Sequence, residues 1–255
     1  MKIVVYGASG SVGTAFDRRM SSDHDLLAVD LMPPENADRR FITGDVRHPD
    51  LFHETLVGAD ASVYLPFVPY DPGKDPCSAE SGASFDVNLR GIFYWLAAAR
   101  EHGVERLVFA SSLSVFGDIH GRGDLNEAMP ATPRDIYGLT KTFAEETCRY
   151  FVRKYAMDIV VLRLCGVLNH EWWINFGANV QKERAKDLAS GRGWCGCPYT
   201  HIDDVAEAIR LAIVRSFSGF HLFHVFGEQE VCDWPTDALR EGLGFTPRYP
   251  TLGDG

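Results

Sequence analysis

The chain has 255 residues, of which 45% are hydrophobic and 24% charged, and its formal net charge is -10. This length is enough for one large α/β domain, with or without a small cap. The acidic charge argues against nucleic acid as a partner, because binding to its backbone depends on clustered Lys and Arg. There is no apolar stretch of about 20 residues, so we expect no membrane association. Residues 1–7 are strand-like and do not resemble a signal peptide, so we expect a cytoplasmic protein.

The cysteines do not indicate a metal site or a disulfide framework. They are scattered at positions 77, 148, 165, 195, 197 and 232. Cys195 and Cys197, with His201 nearby, suggest part of a zinc site. Their spacing is not that of a CxxC pair, however, and no second pair completes four ligands. We therefore predict no metal.

Strand-like and helix-like segments alternate along the chain. The predicted strands are residues 2–6, 26–30, 40–43, 61–65, 106–111, 158–164 and, near the end, 220–225. The predicted helices are residues 12–20, 49–57, 83–102, 135–155, 203–215 and 235–241. This alternation predicts an α/β fold, a doubly wound parallel sheet with helices on both faces. A Pro- and Gly-rich loop at 66–82 is long enough to indicate a functional role.

The pattern becomes irregular after Leu164. Trp172, Trp173 and Trp194 lie in a stretch that contains Gly and Asn, where we predict no regular element. We interpret the segments at about 166–200 and 226–255 as a small C-terminal cap over the sheet. The whole chain, 1–255, is then a single domain.

A glycine-rich turn joins the first strand to the first helix. Its sequence is GASGSVG, residues 7–13, a GxxGxxG relative of the dinucleotide-binding fingerprint. Glycines let the backbone approach a pyrophosphate closely, and the helix N-terminus supplies N–H groups to it. We therefore predict that this turn binds the phosphates of a dinucleotide, through Gly7, Ser9, Gly10, Ser11, Val12 and Gly13.

Acidic residues after the second and third strands are candidates for the adenosine half of the dinucleotide. Asp30 can accept hydrogen bonds from the ribose hydroxyls and would repel a 2′-phosphate, which favours NAD over NADP. The alternative is a surface Asp that begins a turn. Asp45 and Val46 either border the adenine or form a plain turn. Four arginines leave NADP open: Arg18, Arg19, Arg39 and Arg40.

Tyr137 and Lys141 are four residues apart, on one face of a predicted helix. An ammonium near a phenol lowers the pKa of the phenol from about 10, as a base for an alcohol proton requires. Ser112, just past the fifth strand, supplies a hydroxyl that can polarise the same substrate oxygen. Tyr and Lys at this spacing also form ordinary surface pairs. The combination with the glycine-rich turn and Ser112 predicts a catalytic site.

These motifs, in this order, resemble the extended short-chain dehydrogenase/reductase family, the NAD-dependent epimerase/dehydratase group. The resemblance covers residues 2 to about 214 and includes VNLRG at 87–91, FASSLSVFG at 109–117 and HIDDVA at 201–206. It implies a Rossmann-type fold, with Tyr137 as the base and Ser112 as the residue that hydrogen-bonds substrate. Lys141 would bind the nicotinamide ribose, and Leu65 and Asn88 would contact NAD. It also implies a homodimer formed through the helices at 83–102 and 135–155.

Where the sequence differs from the family pattern, it reduces the number of family activities that we expect. Family dehydratases resemble this chain but carry an Asp-Glu pair where Leu113-Ser114 stands here, so we do not expect a 4,6-dehydratase. Leu65-Pro66-Phe67 stands where relatives usually have small residues. The C-terminal part is shorter than that of sugar-nucleotide epimerases, which favours a small carbohydrate such as a free sugar, uronate or polyol. The tryptophans after Leu164 either stack on a sugar face or belong to the core.

Three functions agree with these features. The leading hypothesis is an NAD-dependent dehydrogenase acting on a secondary alcohol of a small carbohydrate. The second is a nucleotide-sugar epimerase that reduces NAD transiently and forms no net NADH. The third is a redox-sensing regulator that binds NAD and a partner protein, against which the intact Ser112, Tyr137 and Lys141 argue.

Overall fold

The computed structural model describes residues 1–34, 40–68, 79–117, 119, 125–189, 199–227 and 234–249. Its centre is a seven-stranded, wholly parallel sheet. In chain order the strands are β1 (Lys2–Tyr6), β2 (Asp25–Asp30), β3 (Phe41–Thr43), β4 (Ala61–Tyr64), β5 (Arg106–Ser112), β6 (Ile159–Leu164), β7 (Val167–Leu168), β8 (Thr200–His201) and β9 (Phe220–Val225). The sheet order is β3-β2-β1-β4-β5-β6-β9, and β7 pairs separately with β8. The order reverses between β1 and β4, where doubly wound sheets bind ligands.

Helices cover both faces of the sheet. They are α1 (Ser11–Met20), α2 (Pro49–Thr55), α3 (Ala79–Phe85), α4 (Gly91–Glu101), α5 (Ile136–Tyr155), α6 (His170–Ala189) and α7 (Ile202–Val214). The central strands are buried on both sides, since alternate residues of β1 enter two separate apolar cores. Such strands read as continuous apolar runs, which is why they are recognisable from sequence. The predicted doubly wound fold is confirmed.

Four predicted segments differ from the structure. The stretch after Leu164 contains a 20-residue helix, α6, that the sequence analysis did not predict. The predicted loop at 66–82 ends early, because α3 begins at Ala79. The helix predicted at 83–102 contains a wider, π-type turn at Asp86–Arg90, and a second π-type turn, Ala238–Leu243, replaces the last predicted helix. Wider turns of this kind occur often beside functional sites.

The C-terminal segment is held against α7 through one buried carboxylate. Asp204 accepts hydrogen bonds from the backbone N–H groups of Arg248 and Tyr249, at 3.0 and 3.1 Å. The Tyr249 ring stacks on His201, with 3.7 Å between the ring centres. The division into a sheet and a cap remains a prediction. Within the described ranges, no helix is both long and apolar enough to cross a bilayer.

Candidate active site

A cavity of about 1080 Å³ lies along the carboxyl ends of the central strands. It is lined by segments that follow β1, β2, β3, β4, β5 and β6, together with the first turns of α1 and α5. Nearly all predicted site residues line this one cavity: Gly7, Ser9, Gly10, Ser11, Val12, Gly13, Asp30, Asp45, Val46, Leu65, Ser112, Tyr137 and Lys141. The topology therefore joins residues that are up to 134 positions apart in sequence.

The glycine-rich turn has the shape of an anion cradle. A Cβ on Gly13 would lie 2.5 Å from the Ala8 carbonyl oxygen, so glycine is what lets α1 pack directly on the turn. At Gly10 an added Cβ would meet nothing closer than the Gly7 carbonyl oxygen at 3.4 Å. The first N–H groups of a helix have no intrahelical partner, and α1 has no acidic residue in its first turn. The turn thus fits a phosphate group.

Asp30 lies at the end of the cavity that is formed by the glycine-rich turn. Its carboxylate accepts hydrogen bonds from the backbone N–H groups of Ser9, at 2.9 Å, and Leu31, at 2.7 Å. These bonds hold the acidic side chain beside the glycine-rich turn, where a ribose would lie. The cavity here therefore presents an acceptor to hydroxyl groups and repels a phosphate.

The arginines that left NADP open are engaged elsewhere. Arg18 pairs with Asp203 at 3.3 Å, Arg19 with Glu207 at 2.8 Å and Arg40 with Asp25 at 2.8 Å. Arg39 lies outside the described residues. None of the three described arginines lines the cavity. This arrangement agrees with NAD in preference to NADP.

Asp45 and Val46 also line the cavity, next to an arginine that the sequence analysis missed. Arg47 donates to the Asp45 carboxylate from its backbone N–H, at 2.9 Å, and from its guanidinium. The side-chain bond with Arg47 is the main reason that the pKa of Asp45 is lowered. Asp45 therefore stays ionised, and Arg47 presents a planar cation at the cavity wall.

Ser112 and Tyr137 meet because α5 begins directly against the turn that follows β5. This turn, Leu113–Phe116, is a 3₁₀ helix. A Cβ on Gly138 would overlap the Ser114 carbonyl oxygen, so a glycine is required for this approach. Asp135 caps α5 by accepting a hydrogen bond from the Gly138 N–H at 2.7 Å. The first turn of α5 is thus held by the Asp135 cap and by the close contact of Gly138 with the Ser114 carbonyl.

The side chain of Lys141 is almost fully buried, with 1% exposed. Its Nζ donates a hydrogen bond to the Ala110 carbonyl oxygen at 2.8 Å and lies 5.8 Å from the centre of the Tyr137 ring. Burial lowers the pKa of Lys141 to about 7, while Glu145 and Cys148 act to raise it. The lysine can therefore change protonation state near neutral pH.

The influences on the pKa of Tyr137 differ from those that the sequence predicts. Burial raises the pKa of Tyr137, and a hydrogen bond with Ser112 is what opposes this rise. The hydroxyl of Ser112, and not the ammonium of Lys141, is thus the protein group that favours the phenolate. Lys141 is not among the groups that shift this pKa, and its Nζ donates to the Ala110 carbonyl.

Asn88 lies apart from the other predicted site residues. It is fully buried in the π-type turn Asp86–Arg90 and is not among the residues that line the cavity. Its Nδ2 donates to the Thr140 hydroxyl at 3.1 Å, whereas its Oδ1 has no hydrogen-bond partner among the described residues. Among the described contacts, this hydrogen bond joins Asn88 to α5 at Thr140, the residue that precedes Lys141.

Phe67 and Asn169 line the cavity although they were not predicted as site residues, and Trp172, one of the tryptophans left open between sugar stacking and core, lines it too. Phe67, which is 56% exposed, places its ring 6.1 Å from that of Tyr137. Trp172 in the first turn of α6 is 59% exposed and lines the cavity, as does Asn169 before it. Trp173 is fully buried against His201, so it belongs to the core. Trp194 and the Cys195–Cys197 pair lie outside the described residues.

Comparison with known proteins shows the family to which the chain belongs. The model of the NAD dependent epimerase/dehydratase family matches residues 3–225. The chain belongs to that family. Its members use NAD, and the glycine-rich turn, Asp30 and the open surface at Gly10 fit that cofactor in this chain.

Individual relatives include both dehydrogenases and epimerases. A uronate dehydrogenase of Pseudomonas putida is 24% identical over 167 residues, which cover 64% of this chain and 60% of that protein. An N-acetyl-alpha-D-glucosaminyl-diphospho-ditrans,octacis-undecaprenol 4-epimerase of Escherichia coli O157:H7 is 31% identical over 227 residues, covering 87% and 66%. The chain thus spans about two thirds or less of these relatives.

A solved structure confirms the fold. It is a short-chain dehydrogenase/reductase superfamily protein of Agrobacterium tumefaciens with bound NAD, with a TM-score of 0.77 and 22% identity. The similarity covers 97% of this chain and 93% of that protein.

We expect Gly138→Ala to uncouple Tyr137 from Ser112. The added methyl group would overlap the Ser114 carbonyl and push the first turn of α5 away from β5. A displacement of about 1 Å at a reacting group costs on the order of a hundredfold in turnover. The measurement is turnover with NAD and an accepted sugar substrate. Gly82→Ala is the matched control, since its Cβ would meet nothing within 4 Å. Equal turnover in the two variants would contradict the role of this contact.

Proposed function

We propose that the protein is an NAD-dependent dehydrogenase that oxidises a secondary alcohol of a small carbohydrate. The observation that carries the proposal is the shared cavity, with Asp30 and the glycine-rich turn at one end and Ser112, Tyr137 and Lys141 lining it further along. A dinucleotide held by the first group has its reactive end near the second. Its relatives act on carbohydrates, as the uronate dehydrogenase does.

The chain supplies the proton chemistry. When bound, NAD supplies a hydride acceptor. The Tyr137 Oη takes the proton of the substrate hydroxyl, and Ser112 holds both this phenol and the substrate oxygen by hydrogen bonds. Lys141, as the ammonium, would donate a hydrogen bond to the nicotinamide ribose. Phe67 covers the Tyr137 ring and limits the access of water.

The wall beside the catalytic residues suits a small carbohydrate. Trp172 offers an exposed aromatic face, on which the C–H groups of a sugar ring can pack. Asn169 offers an amide for its hydroxyl groups, although its Oδ1 already accepts from the Trp172 N–H at 2.9 Å. This combination of one flat apolar face and polar edges matches a free sugar, uronate or polyol.

A second candidate is epimerisation of a nucleotide sugar. It is favoured by the Escherichia coli 4-epimerase, which is 31% identical over 87% of this chain. The same Tyr137 would first remove and then return the hydroxyl proton. No net NADH would accumulate in that case.

The two candidates are separated by incubating the protein with NAD and a panel of free sugars, uronates and sugar nucleotides. We expect NADH, followed at about 340 nm, with at least one free sugar or uronate. Tyr137→Phe should lower the rate by about a hundredfold or more, because general-base catalysis is lost. Isomerised sugar nucleotide without NADH would establish the epimerase. Unchanged turnover in Tyr137→Phe would refute the catalytic assignment in both cases.

We further propose a homodimer formed through α4 and α5. This is supported by four large aromatic side chains that these helices expose: Phe93, Phe143, Tyr150 and Tyr155. Exposed aromatic clusters on adjacent helices favour association with another apolar surface. We expect a sedimentation mass of twice 28.4 kDa at micromolar concentration. A monomer mass would contradict the proposal.

A further inference from the structure

A buried ionic cluster lies between α5 and the strands β5 and β6. The Glu145 and Arg163 side chains are 1% and 2% exposed. Arg163 donates two hydrogen bonds to the Glu145 carboxylate, from Nε at 2.9 Å and from Nη2 at 2.7 Å. The Ser111 hydroxyl donates a third at 2.6 Å. Both carboxylate oxygens are therefore fixed in position.

The remaining contacts of Arg163 fix its orientation. Its Nη1 donates to Nε2 of His224 at 3.2 Å, and its guanidinium lies 4.7 Å from the centre of the Phe116 ring. Burial, reinforced by the Arg163 charge, lowers the pKa of His224 to about 3, so the imidazole is a neutral acceptor. The backbone N–H of His224 in turn donates to Glu127 at 3.1 Å.

Glu145 and Arg163 adjoin the catalytic residues without lining the cavity, whereas Ser111 lines it. Glu145 follows Lys141 by four residues, so their side chains share one face of α5. Neighbouring residues of β5 hold the two side chains: the Ala110 carbonyl accepts from Lys141, and Ser111 donates to Glu145. Two rigid contacts thus set the distance between the carboxylate and the ammonium.

We propose that Glu145, clamped by Arg163 and Ser111 one helical turn after Lys141, is a positioning residue that holds Lys141 as the ammonium. Glu145 touches neither the cavity nor, on the proposed function, the substrate. It acts through Lys141. Its importance for turnover rests on the proposed function, whereas its effect on Lys141 does not.

The electrostatics around Lys141 support this role. Burial lowers the pKa of Lys141 to about 7, and the Glu145 carboxylate is the largest influence that raises it. Removing that carboxylate should lower the pKa further, so the ammonium would be lost at a lower pH. The other titratable or charged groups that face Lys141 are Tyr137 and Cys148 on α5. Those that face Glu145 are Arg149 on α5, at 3.9 Å, and Arg163 on β6, behind which lies His224 on β9. Of these, His224 is neutral and the Cys148 thiol has its pKa raised by burial.

The test is the titration midpoint of Lys141 in the ligand-free protein. It is measured by NMR on protein with ¹³C-labelled lysine, and the Lys141 signal is assigned by its absence in Lys141→Met. We expect Glu145→Gln to lower the midpoint by about one pH unit, the usual size of the effect of a near opposite charge. Because this variant leaves Arg163 buried without its partner, it is compared with Glu145→Gln/Arg163→Met, which removes both charges. The double variant should have a midpoint between those of Glu145→Gln and the wild type.

The neighbouring carboxylate provides a matched control. Glu146 is 56% exposed and pairs with Arg149, so Glu146→Gln should leave the Lys141 midpoint unchanged. An unchanged midpoint in both Glu145 variants, or an equal shift in Glu146→Gln, would overturn the proposal. In the NADH assay the alkaline limb of the pH profile should move to lower pH in the Glu145 variants. If no variant and no wild-type protein forms NADH, the proposed function fails while the NMR midpoint still decides the role of Glu145.

Discussion

Three successive residues of β5 hold the three functional side chains of α5. The Ala110 carbonyl accepts from Lys141, Ser111 donates to Glu145, and Ser112 acts to lower the pKa of Tyr137. This register depends on the close contact between the first turn of α5 and the turn after β5. The proposed proton transfer depends on this contact, because it sets where the phenol, the ammonium and the serine hydroxyl lie relative to one another.

The topology of the sheet adds the cofactor half of the cavity. Since all seven strands are parallel, their carboxyl ends meet at one edge, and the reversal of order between β1 and β4 opens a crevice there. The glycine-rich turn after β1 and Asp30 at the end of β2 face the same space as Ser112 at the end of β5. The residues proposed to bind the dinucleotide and those proposed to transfer the proton thus line one cavity.

The sequence was sufficient for the sheet and most of the cavity, because continuous apolar strands and glycine spacing are local signals. It failed for α6, whose Gly and Asn residues weaken the helical pattern and whose aromatic residues are divided between core and cavity, as Trp173 and Trp172 show. It also could not show that Glu145 belongs to a buried ionic cluster. One acidic residue in an amphipathic helix resembles a solvated side chain until the fold pairs it with Arg163. Nor could it show that Ser112, and not Lys141, opposes the rise in the pKa of Tyr137.

The central claim is that NAD binds in one cavity, with its adenosine ribose at Asp30 and its nicotinamide ribose at Lys141. Calorimetric binding of NAD and of ADP, which lacks the nicotinamide half, tests it most directly. We predict that Asp30→Ala weakens both ligands by about tenfold, because hydrogen bonds to a charged group are lost. Lys141→Met should weaken NAD by a similar factor and leave ADP binding unchanged. Equal weakening of ADP by Lys141→Met, or NAD binding that is indifferent to it, would contradict the account.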